Sequence, residues 1–217
     1  MVARVQATGE LLTRSVPVVS PDLLSLTPGK VVGLEGPPGF GLTRLGLTML
    51  ADAARRGPVA YVDVRGWLSP PAAWEIGIAP ERLIVVRCDE AVTWGRVVGG
   101  LLDGMQAVFA EVPRVVKEAH LRKLAATSRT RRTPLVLRPV RGELPAGVAH
   151  LRLSARKIEW EGTDEGHGRL AHRRLVVEAS GKAMKGLVRN FEVEDHGTHA
   201  VRVVPGLGAP SIGSAPG

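Results

Sequence analysis

The chain has 217 residues, of which 44% are hydrophobic and 23% charged, so it can form one sizeable α/β domain but hardly two. Its 29 Lys and Arg residues outnumber 21 Asp and Glu, and the formal charge of +8 favours polyanionic partners. The single cysteine, Cys88, excludes an intramolecular disulfide and a cysteine-rich metal site. We find no secretory signal and no apolar stretch long enough to span a bilayer, so we expect a cytoplasmic protein.

Turn-forming residues divide the chain into three parts. Residues 1–28 show no sustained hydrophobic period, which predicts an N-terminal arm. Regular patterns extend from Gly29 to Val204 and predict the core domain, 29–204. Residues 205–217 are rich in Gly, Pro, Ala and Ser, and we expect them to form a flexible tail.

The first two thirds of the core alternate short apolar runs with segments of helical period. In chain order the pattern predicts strand Val31–Leu34, helix Leu42–Arg56, strand Val59–Val64, helix Ala72–Ile76, strand Leu83–Arg87, helix Ala91–Leu102, strand Ala107–Val112, helix Arg114–Ser128 and strand Leu135–Leu137. Such alternation is typical of a parallel sheet with right-handed crossovers and helices on its faces.

After Gly147 the pattern contains strands only. The predicted strands are Val148–Trp160, Arg169–Ala179, Leu187–Glu194 and an edge strand within Thr198–Val204. Because glycine-containing turns connect them, we expect an antiparallel extension of the sheet. The predicted fold class is therefore α/β, a mostly parallel sheet flanked by helices with a C-terminal antiparallel β-meander.

A glycine-rich loop follows the first predicted strand. Its sequence, G-P-P-G-F-G-L-T, has the spacing of a phosphate-binding loop at Gly36, Gly39, Gly41 and Thr43, but Leu42 stands where that motif requires lysine. Leucine has no charge to stabilise the transition state of phosphoryl transfer, so hydrolysis should suffer severely. The loop is either a tight structural turn or a weak nucleotide site; we favour the turn and expect no bound ATP and no cofactor.

Basic residues concentrate between Arg114 and Arg141. This stretch has nine bases against one acid, Glu118: Arg114, Lys117, Arg122, Lys123, Arg129, Arg131, Arg132, Arg138 and Arg141. The excess of eight charges equals the net charge of the whole chain. The stretch could form a sequence-independent surface for DNA, contact acidic patches on a protein partner, or be a solvated helix face.

Other residue types that often carry chemistry form no constellation here. His196 and His199 lie three residues apart, but no further ligand group is apparent, so we expect no metal site and no catalytic residue. Trp74 and Trp94 fall within predicted helices and should pack there, whereas Trp67 should lie on the surface.

Three segments together resemble the RecA ATPase core over about Gly29 to Asp195: GPPGFGLTRL, YVDVRGWLSPPAAWEIGIAPERLIVV and RLAHRRLVVEASGKAMKGLVRNFEVEDHG. In that family the second strand ends in an aspartate, followed two residues later by a glutamate that positions the attacking water. Here Asp63 is present, but Arg65 occupies the glutamate position. Glu111 stands where an aspartate should hold magnesium. The resemblance therefore implies a degenerate ATPase without turnover.

The chain is more similar still to the shortened RecA relatives of the ImuA and SulA-like group, in particular to actinobacterial-type ImuA homologues. This resemblance implies an accessory role in the damage-inducible translesion mutasome, close to the nucleoid. The implied partners are an ImuB-like inactive Y-family polymerase, RecA itself, and DNA through the basic surface. Two alternatives remain, a SulA-type inhibitor of cell division that binds FtsZ and a nucleotide-binding regulator without turnover. We expect no regular self-filament, because the N-terminal arm shows no strong helix.

Overall fold

The computed structural model describes residues 23–161, 172–195 and 201–205. Most of the predicted arm and tail, together with His196 and His199, lies outside these residues. The helices and strands are β1 (Val31–Glu35), α1 (Leu42–Arg56), β2 (Val59–Asp63), α2 (Pro70–Trp74), β3 (Leu83–Arg87), α3 (Ala91–Gly104), β4 (Val108–Val112), α4 (Glu118–Arg131), β5 (Leu135–Pro139), β6 (Leu151–Glu161), β7 (His172–Ser180), β8 (Arg189–Asp195) and β9 (Val201–Pro205).

The described strands form one sheet in the order β3-β2-β4-β5-β1-β6-β7-β8-β9. Pairing is parallel from β3 through to β6 and antiparallel from β6 to β9. Strands β1, β2 and β4 are buried at every position, as expected for apolar runs covered by helices on both faces. The predicted α/β fold with its antiparallel extension is confirmed.

Two hydrophobic cores lie on the two faces of the parallel sheet. On one face, Leu45 and Met49 of α1 pack with Tyr61 and Phe109. On the other face, α3 and α4 cover alternate residues of the same strands, and Trp94 is fully buried there. Because α3 and α4 lie on the same face, the basic helix α4 is anchored by its apolar side and exposes its charges.

Three predicted details differ from the structure. Helix α4 begins at Glu118 and not at Arg114, because Pro113 and the β-branched pair Val115 and Val116 precede it in an irregular segment. Helix α2 begins earlier, with a proline in its first turn, and is so short that it buries only one residue. Trp74 is consequently 47% exposed and does not pack as predicted. No helix in the described part of the chain is long and apolar enough to cross a membrane.

Candidate functional site

The glycine-rich loop lies where β1 meets α1, at the carboxyl edge of the parallel strands. Its three glycines adopt positive φ angles, which allows the tight turn into the helix. Leu42, in the position of the missing lysine, is fully buried and belongs to the core around α1. Leu42 therefore contributes an apolar contact beneath the loop and no charge to it.

Glu111 is the centre of the polar contacts at this edge. One of its oxygens, Oε2, accepts the backbone N–H groups of Val64 and Arg65, both at 3.2 Å. The other, Oε1, accepts the Arg65 side chain through Nε at 3.0 Å and through Nη2. The Glu111 side chain is 1% exposed. Glu111, which the RecA resemblance assigned to magnesium, is thus bound by the backbone of Val64 and by the backbone and side chain of Arg65.

Asp63, the acid that the RecA pattern retains, also binds the backbone of the loop after β2. Its two oxygens accept the N–H groups of Gly66 at 2.8 Å, Trp67 at 3.2 Å and Leu68 at 3.1 Å. The loop that begins at Val64 is therefore held by two buried carboxylates. Trp67 itself is 69% exposed, as predicted, with the Arg65 guanidinium 4.6 Å from its ring centroid.

Arg138, at the end of β5, connects this group to the glycine-rich loop. Its Nη1 donates to Thr43 Oγ1 and lies 3.9 Å from Glu111 Oε1. The residue is only 6% exposed, so it does not belong to the basic surface to which the sequence assigned it. We call Thr43, Arg65, Glu111 and Arg138 the arginine–glutamate cluster. Its two arginines balance the two buried carboxylates, Glu111 and Asp63, in formal charge.

The electrostatics of the cluster keep Glu111 ionised. Burial alone would raise the pKa of Glu111, but the hydrogen bonds and charge of Arg65 hold that pKa below its ordinary value. Burial and the nearby charge of Arg65 lower the pKa of Arg138. Burial and the adjacent Glu111 raise the pKa of the Tyr61 hydroxyl far above its ordinary range. A catalytic base poised near neutral pH is not what this arrangement produces.

Four other residues of the predicted basic surface lie at two opposite edges of the sheet. Arg114 and Arg141 line a cavity of about 640 Å³ at the carboxyl edge, next to Pro37 and Pro38. Arg129 and Arg132 lie at the end of α4, at the amino edge, and α4 itself is about 20 Å long. The bases of this stretch therefore lie on more than one part of the molecule, and their role as a DNA or partner surface stays a prediction.

Between these edges, ion pairs partly neutralise α4. Arg122 pairs with Glu118 on the same helix, and Arg131 Nε lies 2.7 Å from Asp103 Oδ1 of α3. Lys117 occupies the N-cap position of α4 in an extended conformation, without a capping side-chain hydrogen bond, and Lys123 is exposed in the middle of the helix. Two of the bases on α4, Arg122 and Arg131, are therefore paired with acids.

A second buried ion pair at the carboxyl edge was missed by sequence reasoning. Glu35 accepts the Leu144 backbone N–H at 2.9 Å, Arg152 Nη1 at 2.8 Å and Ser154 Oγ at 3.4 Å. It fixes the segment between β5 and β6 against the end of β1. The available signal was a charged residue at the carboxyl end of an otherwise apolar strand, and the same signal marks Arg138.

Comparisons with known proteins agree with this architecture. The chain is 31% identical over 124 residues to protein RecA of Synechococcus sp. (strain WH7803), covering 54% of this chain and 32% of that protein. It is 42% identical over 62 residues to protein RecA of Thermus thermophilus, covering 28% of this chain and 18% of that protein. The chain thus spans a third or less of these relatives' length.

A solved structure extends the similarity to most of the chain. The crystal structure of the RadB recombinase superposes with a TM-score of 0.53 at 20% identity, covering 82% of this chain and 93% of that one. At this identity the match shows the fold alone, which is RecA-like.

A family model covers the glycine-rich loop and the whole arginine–glutamate cluster. The model of the MT3502 N-terminal domain matches residues 19–144, which is 126 of the 217 residues and therefore more than half of the chain. The chain belongs to the MT3502 N-terminal domain family.

Proposed function

We propose that this protein is a non-catalytic RecA-like accessory protein of DNA repair, which acts by binding and not by nucleotide hydrolysis. The observation that carries the proposal is the arginine–glutamate cluster. Arg65 engages the carboxylate of Glu111, and Arg138 lies against the hydroxyl of Thr43. Two guanidinium groups therefore lie beside Glu111, the carboxylate that the RecA resemblance assigns to magnesium, and one of them belongs to Arg65, at the position that the resemblance assigns to the water-positioning glutamate.

The physical argument concerns charge at the transition state. Phosphoryl transfer is accelerated almost entirely by positioned charges, namely a lysine in the loop, a magnesium ion and a residue that orients the nucleophile. Here Leu42 is buried in the core and Glu111 is neutralised by Arg65. A divalent cation near Glu111 would be repelled by both arginines in a region of low dielectric constant. The cluster supports binding without turnover.

The resemblance to ImuA homologues supports a narrower role. We propose that the protein assembles with an ImuB-like inactive Y-family polymerase during damage-inducible translesion synthesis, with RecA and DNA as further partners. Similarity to RecA supports the repair context, and the basic residues at both edges of the sheet suit an assembly on DNA.

An ATPase assay tests the absence of turnover. We expect hydrolysis at background level with and without single-stranded DNA, with an active RecA protein as the positive control. Leu42→Lys alone should not restore hydrolysis, because Arg65 still occupies the position of the water-positioning carboxylate. Turnover by the unaltered chain that rises with DNA would show that the proposal is wrong.

Co-purification tests the narrower role. Tagged protein should co-purify with the ImuB-like polymerase encoded in the same genome when the two are co-expressed, and should leave FtsZ polymerisation unchanged. Inhibition of FtsZ polymerisation without binding of the polymerase would instead identify the division-inhibitor alternative.

A further inference from the structure

A small cavity at the amino edge of the sheet is surrounded by positive charge. It has a volume of about 190 Å³ and is lined by Lys30, Arg129, His150 and Lys182 together with backbone from Gly147 to Ala149. Among the described residues, no acid lines it. The three cations come from segments far apart in the chain: the turn before β1, the end of α4 and the turn after β7. We call these four residues the amino-edge basic pocket.

Close backbone packing fixes Lys30 beside Arg129. Gly29 has a φ of +70°, and a Cβ atom there would lie 3.2 Å from the Cα of Arg129 and 3.3 Å from its carbonyl oxygen. Any side chain at this position would therefore push the turn away from α4. The Lys30 carbonyl also accepts the Leu135 N–H at 3.1 Å. The first two cations of the pocket are thus held together by the backbone.

His150 fixes the third cation. The backbone N–H of His150 donates to the Val31 carbonyl at 2.8 Å, and the backbone carbonyl of His150 accepts the Ala183 N–H at 3.0 Å. Gly181 approaches the same carbonyl so closely that a Cβ atom there would lie 2.8 Å from the oxygen. The turn that carries Lys182 is therefore anchored on His150, which itself faces the cavity.

The pocket concentrates positive charge for which the described part of the chain supplies no acidic side-chain partner. None of the three cations forms an ion pair there. Burial and the charges of Lys30 and Lys182 lower the pKa of His150, as expected in a positive field. The negative end of the α4 dipole accounts for a cation at Arg129, but not for lysines supplied by two other segments.

We infer that the amino-edge basic pocket is a binding site for a phosphate group, either a free phosphate or a phosphodiester of a nucleic-acid backbone. Two ammonium groups and one guanidinium supply charge-assisted donors for the phosphate oxygens, and the close backbone packing fixes the turns that carry these side chains. The site lies at the edge opposite the glycine-rich loop. The phosphate site therefore does not depend on the absence of hydrolysis, and the inference would hold even if the proposed function were wrong.

The His150 imidazole provides the readout. NMR spectra of protein labelled with ¹³C-histidine are recorded over a range of pH values. The His150 signal is assigned from its loss in His150→Gln. One series contains inorganic phosphate, and another contains a short single-stranded oligonucleotide that lacks terminal phosphates. A bound anion stabilises the imidazolium, so we expect the pKa of His150 to rise in at least one series.

A matched pair of variants distinguishes binding in the pocket from a general effect of the protein's positive charge. Lys182→Gln should weaken, about tenfold, the binding of whichever ligand raises the His150 pKa, because one charge-assisted contact is lost. Lys185→Gln removes the same charge three residues away, at a side chain that does not line the cavity, and should leave the affinity unchanged. A response to phosphate alone identifies a free phosphate, and a response to the oligonucleotide at low strand concentration identifies the backbone phosphodiester. An unchanged His150 pKa in both series, or equal losses in the two variants, would overturn the inference.

Discussion

At the carboxyl end of β4, one carboxylate has four hydrogen-bond donors. Glu111 binds two backbone N–H groups of the loop after β2 and two nitrogens of Arg65, and it also lies near Arg138. A buried ion pair of this kind adds little stability compared with apolar residues of the same size, but removing one partner leaves an uncompensated charge. Glu111 should therefore be more important for stability than for any chemistry.

Glu111→Gln is expected to destabilise the protein by about 3–5 kcal/mol, because Arg65 and Arg138 then lose their buried counterion. The control is Glu118→Gln, which breaks an exposed ion pair on α4 and should cost at most about 0.5 kcal/mol. Urea unfolding at neutral pH measures both free energies. Equal unfolding midpoints for the two variants would contradict the structural role of Glu111.

The same residue predicts a pH dependence. The folded-state pKa of Glu111 is lowered, so its contribution is fully present above the unfolded-state pKa of about 4.3 and is lost as the pH falls through the lower folded-state value. The difference in unfolding free energy between the wild type and Glu111→Gln should be constant from pH 7 to about pH 5 and shrink below about pH 4. A difference that persists undiminished at pH 2 would show that the charge of Glu111 is not its source.

At the scale of elements, glycines in helices have different roles. Gly46 of α1 faces the ring of Phe109 so closely that an added Cβ would collide with it. Gly95 and Gly100 of α3 have open space at the same position. Helix α1 can therefore approach the sheet only because position 46 lacks a side chain, whereas α3 would accept alanine.

Alanine substitution should separate the two cases. Gly46→Ala should destabilise the protein by about 1–2 kcal/mol, because overpacking against Phe109 exceeds the gain in helix propensity. Gly95→Ala should stabilise it by about 0.5–1 kcal/mol, since alanine reduces the conformational entropy of the unfolded chain. Guanidinium unfolding of both variants checks the opposite signs, and a stabilising Gly46→Ala would refute the close packing of α1.

The sequence predicted most elements because their signals are local. Apolar runs such as those of β2 and β4, and the glycine-rich loop before α1, lie within a few residues, and their order implied the RecA-like sheet. The site required contacts between distant segments. Arg138 looked like one more base in a basic stretch, although the sheet places it against Thr43, 95 residues earlier. Lys30 and Lys182 gave no signal, and Arg129 was assigned only to the basic stretch, because the fold alone brings these three residues together.

For the whole molecule, the position of the excess positive charge determines where a polyanion should bind. The cavity at the carboxyl edge mixes Arg114, Arg141 and Arg156 with Glu35 and Glu143, whereas no acid from the described part of the chain lines the amino-edge basic pocket. A polyanion that follows the electrostatic potential should therefore contact the amino edge more strongly.

Charge reversal at each edge tests this expectation. Arg129→Glu with Arg132→Glu should weaken binding of single-stranded DNA for all base sequences and reduce the slope of log affinity against log salt by about 1–2. Arg114→Glu with Arg141→Glu should change the slope less. Fluorescence anisotropy across a salt series measures both, and a larger loss at the carboxyl edge would reverse the assignment.

The arginine–glutamate cluster also has a consequence for regulation in time. Nucleotide-driven switches change shape when the terminal phosphate leaves, because that phosphate and its metal hold mobile loops. Here protein side chains hold the loop after β2: Glu111 and Asp63 bind its backbone. Under the proposed absence of turnover, no departing phosphate would release this loop, and the cellular amount of the protein would set its output.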